Sequence, residues 1–267
     1  IYGLDILRAF AIVNVMQSHG YDYSSKLANI NYYKWITFDG VGLFFVLSGF
    51  LIGGILLKTI REQEFSFTQL FHFWLRRWFR TLPNYFLVLI ILIACYHYSH
   101  HCLPPQWMEY FCFTQCFASP HPLFFGEAWS LAVEEWFYLI VPFGFFLILL
   151  FSKEKNKAVL FWIVFVLIAG TLVRIYKVYH HNYFIDGTFG GEISKQVVTR
   201  MDGLMYGMLG AWISLNKNEI WERNKNVFFV LGLILLIVPN TFYNEFYLGY
   251  FHYSVEALGT LFILPKL

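Results

Sequence analysis

The stretch Ile1-Tyr-Gly-Leu-Asp5-Ile-Leu-Arg8-Ala-Phe-Ala-Ile-Val-Asn-Val-Met-Gln-Ser-His19 decides how this chain is read. It is apolar enough for a membrane-spanning helix, yet it carries a carboxylate, a guanidinium and an imidazole. Arg8 and His19 are eleven residues apart, which leaves them within about 20° of one helix face and roughly 16 Å apart along the axis. Asp5 falls within about 60° of that face. A lone charge in lipid is costly, so such groups are expected to turn inward and serve a site. For this helix alone, a topogenic reading is equally good: Arg8 marks a cytoplasmic end and His19 is an interfacial residue.

The other 248 residues decide the class. The 267-residue chain is 58% hydrophobic and 13% charged, with mean hydropathy +0.54. A soluble domain carries nearer ~25% charged residues, so the chain reads as an integral membrane protein. Its 31 Phe, 18 Tyr and 9 Trp suit helices with aromatic belts. The net charge of +2 without a polybasic tail gives no reason to expect nucleic acid. The first apolar run is no cleavable signal peptide, since it contains Asp5 and Arg8 and lacks a small-residue cleavage site. A chain that opens on Ile1 and stops at Leu267, at the end of an apolar run, is expected to be part of a longer protein.

Apolar stretches at about 4–20, 40–57, 83–99, 128–151, 158–178, 197–215, 227–243 and 250–265 predict an all-α, polytopic transmembrane bundle of about eight spans. With the N-terminus in the cytoplasm, twelve Lys and Arg fall inside, among them Arg61, Arg76, Arg77, Arg80, Lys155 and Arg223. Only Lys26, Lys34, Lys177 and Lys195 fall outside, a clear positive-inside bias. In the second span Gly49 and Gly53 form a small-xxx-small pair that lets another helix approach closely. The outer segment at 100–127 holds Cys102, Cys112 and Cys116 with several histidines. It has no CxxC or HxxxH spacing, so no metal is expected there, and a disulfide among the three cysteines is the better expectation.

Four segments carry chemistry. In 66–82, Ser66 with Gln69 fits a capping box, which predicts a short interfacial helix before Pro83 opens the third span. Arg76, Arg77 and Arg80 on that helix are three guanidiniums able to grip phosphates bidentately. They also satisfy the positive-inside rule with no ligand at all. Ser48, in Leu43-Phe-Phe-Val-Leu-Ser-Gly-Phe50, is expected to bond the carbonyl of Phe44. In Ala128-Trp-Ser-Leu-Ala-Val-Glu-Glu-Trp-Phe-Tyr138, the adjacent carboxylates Glu134 and Glu135 diverge by about 100°, so at least one points into the bundle. Arg200 and Asp202 near the outer end of the sixth span are expected to pair with each other or with Glu134, and Arg174 lies at the same depth.

Taken in order, Asp5-Ile-Leu-Arg8 with His19, Leu43–Phe50, Arg77-Trp-Phe-Arg80-Thr-Leu-Pro83, Trp129–Tyr138 and Arg200-Met-Asp202 with Gly207 resemble the acyltransferase 3 family of membrane O-acyltransferases. The resemblance runs from residue 1 to about 210. It implies an enzyme of the bacterial cytoplasmic (inner) membrane that takes an acyl group, commonly acetyl, from cytoplasmic acyl-CoA. The group passes to a hydroxyl of a carbohydrate or glycolipid at the outer face. Family members carry about ten spans, each of about 20 residues, so one or two C-terminal helices are expected beyond Leu267 of this acyltransferase domain.

On that reading Arg76, Arg77 and Arg80 hold the coenzyme A phosphates, with Ser48 on the same donor side as a hydrogen-bonding rather than nucleophilic residue. His19 accepts the acceptor hydroxyl's proton near neutral pH, or forms an acyl intermediate. Asp5 and Arg8 position the donor or tune the site, Glu134 orients His19 or the sugar, and Arg200 and Asp202 serve the acceptor. The rival class is a transporter or flippase for an anionic or lipid-linked substrate, disfavoured because no inverted repeat is apparent.

Overall fold

The computed structural model describes residues 2–28, 39–181, 193–241 and 245–267, and among these every regular element is helical. The all-α expectation therefore holds. Among the described residues, each of the eight apolar stretches is helical. Four helices, Gly40–Glu62, Phe67–His100, Ala128–Phe151 and Lys155–His180, are long and apolar enough to cross a membrane. The chain divides into two compact units, Ile1–Leu57 with Gly203–Leu267, and Lys58–Asp202.

The first unit contains α1 (Tyr2–Ala28) and most of α2 (Gly40–Glu62). Its later part holds most of α7 (Val197–Asn216), then α8 (Asn218–Arg223), α9 (Lys225–Thr241), α10 (Glu245–Tyr250) and α11 (His252–Ile263), closing in a 3₁₀ turn. The carboxylate of Asp39 accepts the backbone N–H of Val41 at 3.1 Å and so starts α2. The expected close approach along Gly49 and Gly53 is met by α7. A Cβ on Gly49 would lie 1.9 Å from the Leu204 carbonyl oxygen, and one on Gly207 only 2.0 Å from that of Val46. Gly53 faces Met208 one turn further on. The two backbones are therefore in van der Waals contact, which small residues alone allow. Leu4, Val46, Leu47, Trp221, Ala257, Leu261 and Leu264 fill the core around this crossing, with the Phe50 ring stacked on Trp221.

The second unit contains α3 (Phe67–His100), α4 (Trp107–Phe111), α5 (Ala128–Phe151), α6 (Lys155–His181) and the first turns of α7. The Ser66 N–H donates to Gln69 Oε1 at 3.0 Å, so the helix starts where the capping pattern placed it. It does not stop at Pro83: the interfacial helix and the third span are one continuous helix of 34 residues. Proline costs one backbone hydrogen bond and crowds the carbonyl four residues back. Long membrane helices absorb such a defect, and Pro83 lies on the exposed face, where no packing opposes it.

α3 and α5 pack along their length through Trp74 Nε1, which donates to the Tyr138 carbonyl at 2.9 Å, and through Thr81 and Glu135. Apolar side chains such as Phe79, Leu87, Ile90, Phe161, Ile168 and Leu172 stay exposed on α3 and α6, as expected of a surface solvated by lipid. α3 ends at His101, which adopts the left-handed region (φ 55°), and the chain then folds back. The Tyr85 hydroxyl donates to the Tyr110 carbonyl and Trp136 Nε1 to that of Phe113, both at 2.9 Å. Segment 101–127 thus returns along α3 from His101 to the level of Tyr85, about 24 Å at 1.5 Å per residue.

Candidate functional site

The charged groups expected on α1 fall into two classes. Arg8 Nη1 and Asp5 Oδ1 form an ion pair at 2.9 Å, one turn apart on the helix's exposed side, where each neutralises the other. They do not turn into the core. His19 lies on the helical backbone of α1, but its side chain is outside the described residues. Ser48 is half-buried on α2, one residue before the Gly49 crossing.

The second unit brings the arginine cluster and the acidic pair together. Arg76 and Arg80 are exposed on α3, whereas Arg77 turns toward α5 and is half-buried. Its guanidinium lies 5.7 Å over the Tyr138 ring, a cation–π arrangement. Glu134 is within electrostatic reach of Arg77, and the Tyr138 hydroxyl points to Glu134 Oε2 at 3.4 Å. The helical step then separates the two carboxylates as expected, with Glu134 half-buried and Glu135 buried at 6% exposure. Glu135 Oε1 accepts the Thr81 hydroxyl at 2.9 Å, and the same hydroxyl lies 3.0 Å from the Arg77 carbonyl. Sequence reasoning selected Glu134 and passed over Glu135. No local feature distinguishes Glu135 from Glu134, because the deciding partner, Thr81, lies 54 positions earlier.

A second ionisable group forms where α6 meets the start of α7. Arg174 Nη1 donates to Asp202 Oδ2 at 2.7 Å and to the Thr199 carbonyl at 2.9 Å, with Arg174 wholly inaccessible and Asp202 at 1%. Arg200, 3% exposed, has its guanidinium 5.7 Å over the Trp129 ring. Asp202 thus takes Arg174 as a partner, a pairing the sequence placed at one depth without connecting.

Segment 101–127 is tied to α7 by the Val197 and Val198 N–H groups, which donate to the carbonyls of Cys116 and Phe117 at 2.9 and 3.1 Å. The disulfide expected there is not formed: Cys102 and Cys112 are exposed thiols, and Cys116 is a buried one. Burial pushes the Cys116 thiol up to about 12, which leaves it protonated and inert. Burial also lowers His121 to about 4, and its Nε2 has no partner.

Comparison with known proteins places the chain in a family. The family described as an acyltransferase domain matches residues 1–264. A putative O-acetyltransferase of Staphylococcus aureus (strain COL) is 28% identical over 99% of this chain and 44% of its own length. The peptidoglycan O-acetyltransferase of Listeria monocytogenes is 30% identical over 79% of this chain and 33% of its own. A putative peptidoglycan O-acetyltransferase of Bacillus subtilis (strain 168) is 31% identical over 66% of the chain and 28% of its own. The chain therefore spans less than half the length of these relatives. No solved structure matches. The match covers all the motifs in which Arg8, His19, Arg77, Glu134 and Arg200 stand, and the chain belongs to the acyltransferase 3 family.

Proposed function

We propose that this chain is the membrane module of an O-acetyltransferase, moving an acetyl group from acyl-CoA in the bacterial cytoplasm to a carbohydrate hydroxyl at the outer face of the inner membrane. Peptidoglycan is the acceptor named for two of its relatives and is the first to test. The N-terminus lies in the cytoplasm, and eight crossings satisfy the positive-inside bias.

The observation that carries the donor reading is Arg77, half-buried on α3, held over Tyr138 and within reach of Glu134, with the exposed Arg76 and Arg80 beside it. An orienting ring and a nearby carboxylate fix one guanidinium, while the other two stay free to meet phosphate oxygens. His19 takes the proton from the acceptor hydroxyl as its oxygen attacks the thioester carbonyl. A C–O bond forms, the C–S bond breaks, and the proton passes to the departing thiolate. Asp5 and Arg8, on the same helix as His19, position the donor. Glu134 positions, Ser48 hydrogen-bonds on the donor side, and Arg200 serves the acceptor side, which Asp202 supports from within through its ion pair with Arg174.

The test is thiol release from acetyl-CoA by the full-length protein, with a peptidoglycan fragment as acceptor. His19→Ala is expected to abolish transfer in a folded, membrane-inserted protein. Arg77→Ala/Arg80→Ala is expected to demand much more acetyl-CoA. Full transfer by His19→Ala would overturn the mechanism, and no binding or cleavage of acetyl-CoA with any acceptor would overturn the donor.

A further inference from the structure

Hydropathy makes 100–127 an outer connection between the third and fourth spans. Within the second unit, however, the segment runs down between helices, and two of them measure how far. On α3, His97 begins the polar run that closes the apolar stretch. Tyr85, whose hydroxyl donates to the Tyr110 carbonyl, stands twelve residues earlier, about 18 Å along the axis. On α5, Ala128 is the outer end. Trp136, which donates to the Phe113 carbonyl, stands eight residues further in, about 12 Å. Ring contacts agree: Phe111 stacks on Phe86 with centroids 5.7 Å apart, and Phe113 lies 4.7 Å from Tyr85. Against a hydrocarbon core about 30 Å thick, either helix puts the tip at 111–113 well inside it.

Non-helical backbone at such depth has no water to bond and persists only where protein supplies the partners. Four helices supply them here. The carbonyls of Tyr110 and Phe113 accept from Tyr85 of α3 and Trp136 of α5. Those of Cys116 and Phe117 accept the N–H groups of Val197 and Val198 at the start of α7, and that of Ala118 accepts Lys177 of α6. The N–H groups of Cys112 and Thr114 close on the Glu109 carbonyl. Among the described residues, the non-glycine positions with positive φ are His101, Gln106 and Phe113, all on the descending part. Such backbone persists only where its surroundings over-determine it.

The outward side of the segment is apolar. Leu103, Met108 and Phe111 are exposed, and no residue from Tyr110 to Phe113 is charged. Through the Phe86–Phe111 stack this surface continues the exposed strip of Leu87, Val88, Ile90 and Ile91 on α3. We infer that segment 101–127 is a re-entrant hairpin: it enters the bilayer from the outer side, is deepest at Phe111–Phe113, and rests Met108 and Phe111 against phospholipid acyl chains. This placement is independent of which donor or acceptor the protein uses.

Cys102 near the outer end and Cys112 at the tip, both exposed, are native probes of depth. The full-length protein in phospholipid nanodiscs is treated with a sulfonated maleimide, which stays in water, and each cysteine is quantified by peptide mass spectrometry. Cys102 is expected to react at least about tenfold faster than Cys112, and denaturation to remove the difference. This measurement needs no substitution. In parallel, a nitroxide is attached to Cys112 alone (Cys95→Ser, Cys102→Ser, Cys116→Ala) or to Cys102 alone (Cys95→Ser, Cys112→Ser, Cys116→Ala). Its relaxation by oxygen, which concentrates in hydrocarbon, is compared with that by a neutral nickel chelate, which stays in water. At Cys112 oxygen is expected to act at least about threefold more strongly than the chelate, and at Cys102 the order is expected to reverse.

Equal alkylation of Cys102 and Cys112 in nanodiscs, or a Cys112 nitroxide relaxed mainly by the nickel chelate, would overturn the placement, because the tip would then stand in water. A Cys112 nitroxide shielded from both agents would overturn the lipid contact in favour of protein over the tip, from a second copy or from further helices of the full-length protein.

Discussion

Arg174 and Asp202 form a 2.7 Å ion pair that water does not reach, joining α6 to the start of α7. Arg174 is the largest fully buried side chain among the described residues. Removing one member strands the other's charge in the interior, which costs about 3–5 kcal/mol, whereas replacing both with apolar groups is often neutral. Arg174→Met and Asp202→Leu are each expected to lower the melting temperature of the purified protein sharply. The double variant is expected to recover most of the loss. Equal destabilisation in all three would show that the contribution is packing rather than charge pairing.

Gly49 and Gly207 stand where α2 and α7 touch backbone to backbone. A methyl group at either position meets a carbonyl oxygen at about half the ordinary contact distance, and the obstacle is main chain, which cannot rotate away. Overpacking of this kind costs about 1–3 kcal/mol or more. Gly49→Ala and Gly207→Ala are expected to lower folded yield and thermal stability, whereas Gly54→Ala, whose Cβ would come no nearer than 4.0 Å to Ala211 Cβ, is not. Comparable melting curves for all three would contradict the close crossing.

Arg77 differs from its neighbours in being oriented by Tyr138 and Glu134. In the proposed donor site, Arg77→Ala is expected to raise the KM for acetyl-CoA about tenfold, the size of one charge-assisted hydrogen bond. Arg76→Ala, at an exposed and unoriented position, is expected to raise it less. Steady-state thiol release over a range of acetyl-CoA concentrations checks the order.

His121 is held neutral in the folded chain, because burial lowers it to about 4 from its ordinary value near 6.5. The unfolded chain therefore binds the proton more readily, and the folded state loses stability as the proton becomes available. The contribution is fully present above about pH 6.5 and declines as pH falls toward 4. The His121 ring sits edge-on to Tyr110, a place phenylalanine can fill. Melting curves from pH 8 to pH 4.5 are expected to show a smaller acid-side fall for His121→Phe than for the wild type. Parallel curves would rule out His121 as the responsible group.

Hydropathy and local spacing determined much of this protein. They marked where helices form, α5 to the residue, including the four long enough to cross a membrane, and they placed the start of α3 at Ser66 and the close approach at Gly49 and Gly53. These are properties of a few neighbouring residues: a run of apolar side chains, a cap, a missing Cβ. The family was legible in a different way, through the resemblance of the ordered motifs to the acyltransferase 3 family, whose match covers residues 1–264. Tertiary structure alone decided the rest. Pro83 sits within α3 because nothing packs on that face to exploit the break. Segment 101–127 turns back because Tyr85 and Trp136 offer donors to its carbonyls. Glu135 rather than Glu134 is the buried carboxylate because α3 presents Thr81 on its side of α5, and Asp202 belongs to Arg174, 28 positions earlier in the chain. Such partners are chosen by burial, where an unpaired polar group is most costly, and two residues far apart in sequence carry no local sign that they will meet.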